Sequence, residues 1–117
     1  MNLQALSARV RTKDGVAVVD LAGDVDGSAE SALRTGYKEA TATGATTILL
    51  DFGDVGYINS TGIALIVSVL AEARRDKRKV LACGLSGHYR EIFQVTRLSD
   101  FMPIFADETE ALAGAGA

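Results

Sequence analysis

The chain has 117 residues, of which 48% are hydrophobic and 23% are charged, and its net charge is −3. This length suits one domain, residues 1–117, that buries its own core. The acidic balance argues against a nucleic-acid partner, since such binders usually present a basic face. One cysteine excludes an intrachain disulfide framework. With no signal peptide and no apolar run near the ~20 residues that a bilayer span needs, we expect a cytoplasmic protein without direct membrane insertion.

An N-terminal hairpin comes first. Apolar and polar residues alternate from Leu6 to Arg11, the period of a half-buried strand. The turn sequence Lys13-Asp14-Gly15 leads into a Val-rich strand over residues 16–22, so the two strands should pair antiparallel. A loop over residues 23–27 is predicted to follow.

A helix is predicted next, over residues 28–43. Its apolar residues fall on one face at helical spacing: Ala29, Leu33, Tyr37 and Ala40. Asp26 or Ser28 can cap its N-terminus, and Gly44 provides a stop.

The middle of the chain predicts a buried strand over residues 46–51, a loop over residues 52–59 and a helix over residues 60–76. Several residues of that helix favour strands, but its length decides for helix because strands seldom exceed ~10 residues. The expected inner face consists of Ile63, Ile66, Val67 and Leu70. The expected outer positions are Thr61, Leu65, Ser68 and Glu72. The basic run over residues 74–79 is interpreted as a solvated helix end rather than an anion site.

The last third predicts four elements and a tail: a strand over 80–84, a helix over 86–97, an edge strand over 101–105, a helix over 107–113 and a frayed tail over 113–117. The resulting order, β-β-α-β-α-β-α-β-α, predicts an α/β fold. We expect a mostly parallel mixed sheet of about five strands with an N-terminal hairpin and about four helices. Sites in such sheets gather at the carboxyl ends of strands, which selects residues 24–28 and 54–62.

The sequence lacks the residue sets of common enzymes, so we expect no catalytic activity, no cofactor and no metal. His88 is predicted to be an exposed residue at a helix start, and Cys83 a buried, inert thiol. One histidine and one cysteine cannot form a zinc site unaided, and no phosphate-binding glycine motif is present. For Asp24 and Asp26, helix capping and loop solvation are favoured over a binding role.

The segment Ile58-Asn59-Ser60-Thr61-Gly62 lies where a loop enters the long apolar helix. Asn59 or Ser60 is a natural N-cap, and the residues alone favour that structural interpretation.

The wider pattern resembles the STAS domain family over nearly the whole chain. Residues 51–62, Asp-Phe-Gly-Asp-Val-Gly-Tyr-Ile-Asn-Ser-Thr-Gly, are similar to the family signature, in which a strand and loop lead through an aromatic and an aliphatic residue to Asp-Ser-Ser/Thr-Gly at a helix start. The strand over 16–21 with Gly-Asp-Val-Asp at 23–26 resembles the family's Gly-Glu-Leu-Asp segment. The closing strand and helix are similar at three places: residues 80–84, residues 92–93 and Leu98.

The resemblance implies a stand-alone anti-sigma factor antagonist, a bacterial regulator of transcription in stress responses. In that family the unphosphorylated antagonist binds an anti-sigma factor serine kinase, which then releases its sigma factor. The kinase inactivates the antagonist by phosphorylating the serine before Ser/Thr-Gly, and a serine phosphatase is a further implied partner. Carried over to this chain, the phosphorylated residue is Ser60. The implied partner face consists of Asp24, Asp26, Asn59, Ser60, Thr61 and Gly62.

Asn59 departs from the family pattern, which usually has Asp before the serine. Asn accepts a hydrogen bond and caps a helix but carries no charge. If the acid helps the kinase to orient the hydroxyl, phosphorylation of Ser60 is slow or absent. Two alternatives therefore stay open: a non-switching STAS subunit of a lipid-transport ABC complex or stress-signalling scaffold, and an enzyme or nucleotide-binding protein.

Overall fold

The computed structural model describes residues 4–115 and contains one five-stranded sheet within them, in the order β1-β2-β3-β4-β5. The strands are β1 (Ser7–Lys13), β2 (Val16–Val25), β3 (Thr47–Ile58), β4 (Lys79–Cys83) and β5 (Ile104–Phe105). The α-helices of this part of the chain are α1 (Glu30–Ala42), α2 (Ser60–Arg75), α3 (Gly87–Val95) and α4 (Glu108–Ala115). The first two strands pair antiparallel and all other neighbours pair parallel, which confirms the predicted α/β fold.

The N-terminal hairpin is confirmed in detail. Lys13 pairs with Val16 across a two-residue turn at Asp14 and Gly15. Both turn residues have positive φ, 53° and 80°, the backbone geometry that matches the right-handed twist of a hairpin.

The two faces of the sheet carry unequal layers. The larger core lies under α1, α2 and α3, where the buried helix residues include Leu33, Ile66 and Phe93. The smaller core, on the other face, is covered by Ala111 of α4. This division follows from the alternation of side chains along each strand, which sends neighbouring residues of β2 to opposite faces.

Strands β2 and β3 run further than the sequence predicted. Residues 23–25 and 52–58 were expected in loops, but they continue the parallel pairing to Asp24 opposite Tyr57 and Val25 opposite Ile58. The extension crosses two irregularities of register, and buried Val25 and Ile58 anchor its far end in the core. Burial of these side chains outweighs the weak strand preference of the intervening glycines.

Two other boundaries differ in the C-terminal third. Helix α3 stops at Val95 because Arg97 adopts a left-handed conformation, φ 64°, and a 3-10 turn follows over Leu98–Asp100. The edge strand, predicted over 101–105, is confined to Ile104–Phe105. Helix α4 continues to Ala115, where a frayed tail was predicted, since Gly114 packs against the ring of Phe105. Residues 116 and 117 of that tail lie outside the described residues.

The inner face of α2 also needs correction. Val67 was predicted to face the core but is 45% exposed, whereas Val69 is buried together with Ile66 and Ala73. These buried positions follow the i, i+3, i+7 spacing of one helix face. Within residues 4–115, no helix combines the length and the apolar character needed to cross a bilayer.

Candidate functional site

The candidate site lies where β2 and β3 end and α2 begins. Ile58 ends β3 and Ser60 is already the first residue of α2, so one residue turns the chain from strand to helix. The backbone N–H of that residue, Asn59, donates to the carbonyl oxygen of Val25 at 3.2 Å. The two stretches selected from sequence, 24–28 and 54–62, therefore meet at one edge of the sheet, as predicted.

Gly62 allows the first turn of α2 to lie directly on the end of β2. A Cβ at this position would overlap the carbonyl oxygen of Val25 and would lie 2.6 Å from its carbonyl carbon. Close by, a Cβ on Gly27 would lie 3.6 Å from the methyl carbon of Thr61. The junction is thus held by backbone contacts that leave no room for a larger side chain at position 62.

Asn59 is the N-cap of α2. Its side-chain Oδ1 accepts a hydrogen bond from the N–H of Gly62 at 2.8 Å. Ser60, the other candidate cap, is exposed, and its hydroxyl forms no hydrogen bond with any residue from 4 to 115. Because Asn59 does the capping, the Ser60 hydroxyl is available at a helix end whose dipole favours an anion.

The two predicted aspartates have separate surroundings. Asp26 caps the 3-10 turn before α1, and its carboxylate accepts from the hydroxyl of Ser28 at 2.6 Å and from the N–H of Ser28 at 2.9 Å. Both hydrogen bonds lower the pKa of Asp26, and the bond from the Ser28 hydroxyl has the larger effect. The Asp24 carboxylate instead accepts from the N–H of Gln4 at 3.2 Å. Gln4 precedes β1, so the two carboxylates have hydrogen-bond partners in different segments.

Two tyrosines belong to this region although neither was among the predicted site residues. Tyr57, opposite Asp24 in the sheet, is 47% exposed. The hydroxyl of Tyr89, on α3, accepts a hydrogen bond from the N–H of Ile58 at 3.0 Å and so supports the last residue of β3. The family signature has an aromatic residue at the position of Tyr57, so the sequence contained a signal for this residue. The contact of Tyr89 spans 31 residues and has no local sequence signal.

The sequence profile of the STAS domain matches residues 7–111. The chain belongs to the STAS domain family. The profile spans all five strands and the junction at Ser60, so the site described above lies inside the family domain.

Relatives of this STAS domain include BtrV of Bordetella bronchiseptica, a proposed anti-sigma factor antagonist, which is 28% identical over 102 residues covering 87% of each chain. An anti-sigma factor antagonist structure from Mycobacterium paratuberculosis superposes with a TM-score of 0.82 at 18% identity, over 97% of this chain and 96% of its own. Phosphorylated SpoIIAA of Bacillus superposes with a TM-score of 0.68 at 24% identity, over 93% of this chain and 99% of its own. At these identities the two structures show a shared fold.

The cysteine and histidine of this STAS domain lie as predicted. Cys83 is buried in β4, and desolvation raises the pKa of its thiol to about 12, so the reactive thiolate is scarce at neutral pH. His88 is exposed in the first turn of α3, with its ring 4.9 Å from that of Tyr89. Neither side chain has the surroundings of a nucleophile or a general base.

Three carboxylates on the α4 side of the sheet lie close enough to share a cation: Asp20, Asp51 and Glu108. The Arg11 guanidinium already occupies this place, with Nε 2.7 Å from Asp20 and a second ion pair to Glu108. Asp51 accepts from the N–H of Gly53 at 2.9 Å. The cluster is therefore accounted for as an ion-pair network that joins β1, β2 and α4.

Proposed function

We propose that this STAS domain is an anti-sigma factor antagonist that is switched off by phosphorylation at Ser60. In the proposed cycle the unphosphorylated form binds an anti-sigma factor serine kinase, a sigma factor is released, and the kinase then modifies Ser60. A serine phosphatase restores the active form during stress. The domain itself acts by binding and carries out no catalysis.

The observation that carries the proposal is the placement of the Ser60 hydroxyl. It is exposed at the first residue of α2, while Asn59 next to it satisfies the helix end. The backbone contact between Gly62 and Val25 holds this turn in one position. A hydroxyl in a fixed, exposed position suits the active site of another protein.

A phosphate on Ser60 would change the charge of this surface more than its shape. It adds nearly two negative charges at a helix N-terminus, which tolerates an anion, so the domain can keep its fold. The neighbouring Asp26 is held in its charged form because its pKa is lowered. A partner surface matched to a neutral hydroxyl would lose ~2–3 kcal/mol of binding free energy, which weakens binding about thirtyfold or more.

The relatives support the same proposal. The protein from Mycobacterium paratuberculosis is named an anti-sigma factor antagonist, and BtrV is named a proposed one. SpoIIAA, also an anti-sigma factor antagonist, has structures in a phosphorylated and an unphosphorylated form. A domain of this fold thus exists in both states.

The first test is site-resolved mass spectrometry of the chain from its native host, growing and stressed. We expect phosphate on Ser60 that falls on stress. Ser60→Ala should abolish the modification, whereas the matched variant Thr61→Ala, with the neighbouring exposed hydroxyl removed, should keep it. Phosphate on Thr61 alone, or an unmodified chain in both growth states, would contradict the proposal.

Asn59 supports one alternative, the non-switching subunit of a lipid-transport ABC complex. If the missing acid prevents phosphorylation of Ser60, the domain stays bound to its partner at all times, as a structural subunit does. Co-purification with a transporter ATPase that is equal for wild type and Ser60→Asp would favour this function. A nucleotide-binding function predicts a heat of binding in calorimetric titrations with ATP or GTP, and we expect no heat of binding.

A further inference from the structure

An open groove lies at the C-terminal end of α2, between that helix, β4, the turn Leu98–Asp100 and the tip of α4. Its volume is about 910 Å³. Val67 is the groove residue of α2 nearest to Ser60, seven positions and about 10 Å away along the helix axis, whereas Arg74 lies about 21 Å away, so the groove begins beyond the first turns of α2 that carry the proposed phosphorylation site.

The walls of the groove are apolar and open to solvent. Val67 and Phe101 line it and are 45% and 60% exposed, which makes them two of the four large apolar side chains exposed on residues 4–115. The guanidinium of Arg74 lies 5.9 Å from the centroid of the Phe101 ring. Apolar surface that is rimmed by charged groups is typical of an interaction site.

The rim is strongly cationic although the chain as a whole is acidic. Five cationic side chains line the groove, Arg74, Lys77, Arg78, Lys79 and Arg97, and of these Arg78 is half-buried and donates to the carbonyl oxygen of Ala45. The one carboxylate among the described lining residues, Asp100, already accepts from Arg97 Nε at 2.8 Å. The basic run interpreted from sequence as a solvated helix end therefore joins Arg97 and Phe101 from another element in one surface.

We propose that this groove binds an acidic amphipathic helix of a partner protein. The carboxylates of the helix pair with the cationic rim, and its apolar face covers Phe101 and Val67, which is the usual manner of helix-in-groove recognition. The charge of the rim selects an acidic partner, because a basic helix would meet like charges on a desolvated surface.

Other occupants fit the observations less well. A small apolar molecule would leave the cationic side chains of the rim without a counter-charge. An anionic membrane is flat and meets a chain whose net charge is −3. The membrane surface becomes an outcome of the test, together with a second copy of the chain.

The experiment uses fluorescence anisotropy with the full chain and a labelled synthetic helix of about five turns, with leucines on one face and glutamates on the other. A control peptide carries lysines in place of the glutamates. We expect the acidic peptide to bind with a dissociation constant in the micromolar range and the basic peptide to bind about tenfold more weakly or worse.

Neighbouring arginines on α2 provide a matched pair of variants. Arg74 lines the groove and Arg75 does not, although both are exposed in the last turn of the helix. We expect Arg74→Glu to weaken binding of the acidic peptide about tenfold and Arg75→Glu to change it less than about threefold. Phe101→Ser is a second variant, with an expected loss of similar size, in case Arg74→Glu does not fold by circular dichroism.

Several results would overturn the proposal. They are equal affinity for the two peptides, equal losses in Arg74→Glu and Arg75→Glu, or amide shifts of the bound chain at residues 59–62 instead of 67–74 and 96–101. Binding to phosphatidylglycerol vesicles but not to the peptide would identify a membrane surface. Self-association by sedimentation that Arg74→Glu abolishes would identify a second copy. Ser60→Asp should leave peptide binding unchanged, so failure of the switch at Ser60 and failure of the groove are distinguishable.

Discussion

The two ends of α2 are built in different ways. At the N-terminal end, Gly62 lies against the backbone of Val25 and the Asn59 side chain closes the first turn. At the C-terminal end, long cationic side chains and the ring of Phe101 surround an open groove. Backbone holds the first end in place, whereas side chains with several rotatable bonds form the second.

This difference suits two kinds of recognition. A hydroxyl that another protein must modify needs a fixed position, because misplacement of a reacting atom by about 1 Å costs large factors in rate. A docking groove gains from side chains that adjust to the partner, at an entropic cost of about 0.5–1.5 kcal/mol for each one immobilised. One helix therefore offers a rigid site at its first turn and an adaptable one that begins at Val67, about 10 Å further along its axis.

The largest expected effect comes from a methyl group added at Gly62, and its matched control is a methyl group added at Gly114 of α4, beside the groove. Gly62→Ala places a Cβ against the Val25 backbone, which cannot move without displacing β2, and we expect a loss of about 3 kcal/mol in the free energy of unfolding. Gly114→Ala, at the groove, meets only the end of the Phe105 side chain, 2.7 Å away, which can rotate. Since alanine also favours helix, we expect Gly114→Ala to stay within about 1 kcal/mol of wild type. Urea unfolding measures both, and equal losses would remove the distinction between the two ends.

An intermediate effect is expected at the cap of α2. Asn59→Ala removes the acceptor for the Gly62 N–H and should cost about 1 kcal/mol of stability. Asn59→Asp keeps the acceptor and adds a negative charge at the helix N-terminus, which should stabilise by about 0.3–1 kcal/mol. Thermal unfolding at low salt should show a lower melting temperature for Asn59→Ala and a higher one for Asn59→Asp than for wild type. A destabilised Asn59→Asp would exclude this account of the cap.

Asn59→Asp also sharpens the proposed switch. If the usual acid helps a kinase to orient the hydroxyl, the variant should be phosphorylated at Ser60 faster than wild type by the cognate kinase. Asn59→Ala serves as the control, because it lacks the charge and the cap together. An unchanged rate in Asn59→Asp would mean that the acid has no part in recognition.

The smallest effect is expected at the ion-pair network on the α4 side of the sheet. Arg11 lowers the pKa of Glu108, so the pair stabilises the fold above the ordinary glutamate pKa and loses this contribution as pH falls through the lowered value. Glu108→Gln should cost less than about 1 kcal/mol at pH 7, because the Arg11 side chain is 42% exposed and solvent screens the pair. The difference from wild type should shrink as pH falls through the lowered pKa of Glu108 and vanish below it. A difference independent of pH would assign the effect to packing.

Local sequence was a good guide wherever local forces decide the structure. The hairpin turn at Asp14 and Gly15, the buried face of α1 and the stop at Gly44, with φ 83°, were all predictable from residue types and spacing. The helical state of residues 60–75 followed from length despite its β-branched residues. For the site, the same local patterns located the helix start and the exposed serine.

Local sequence was a poor guide to the ends of β2 and β3. Residues 52–58 contain two glycines and favour a loop on their own, yet they pair with β2 up to Ile58. Each strand supplies the hydrogen-bond partners of the other, and the burial of Phe52 and Ile58 is gained only once both are in place.

By itself, the sequence determined the order of the elements, the capped start of α2 and the presence of Ser60 at that start. These features rest on backbone conformation and on contacts between near neighbours. The tertiary structure alone decided which surfaces those elements form. It placed Gly62 on the backbone of Val25, and it joined the basic end of α2 to Arg97 and Phe101. Such contacts connect residues more than 20 positions apart, and their energy exists only when the whole sheet has formed.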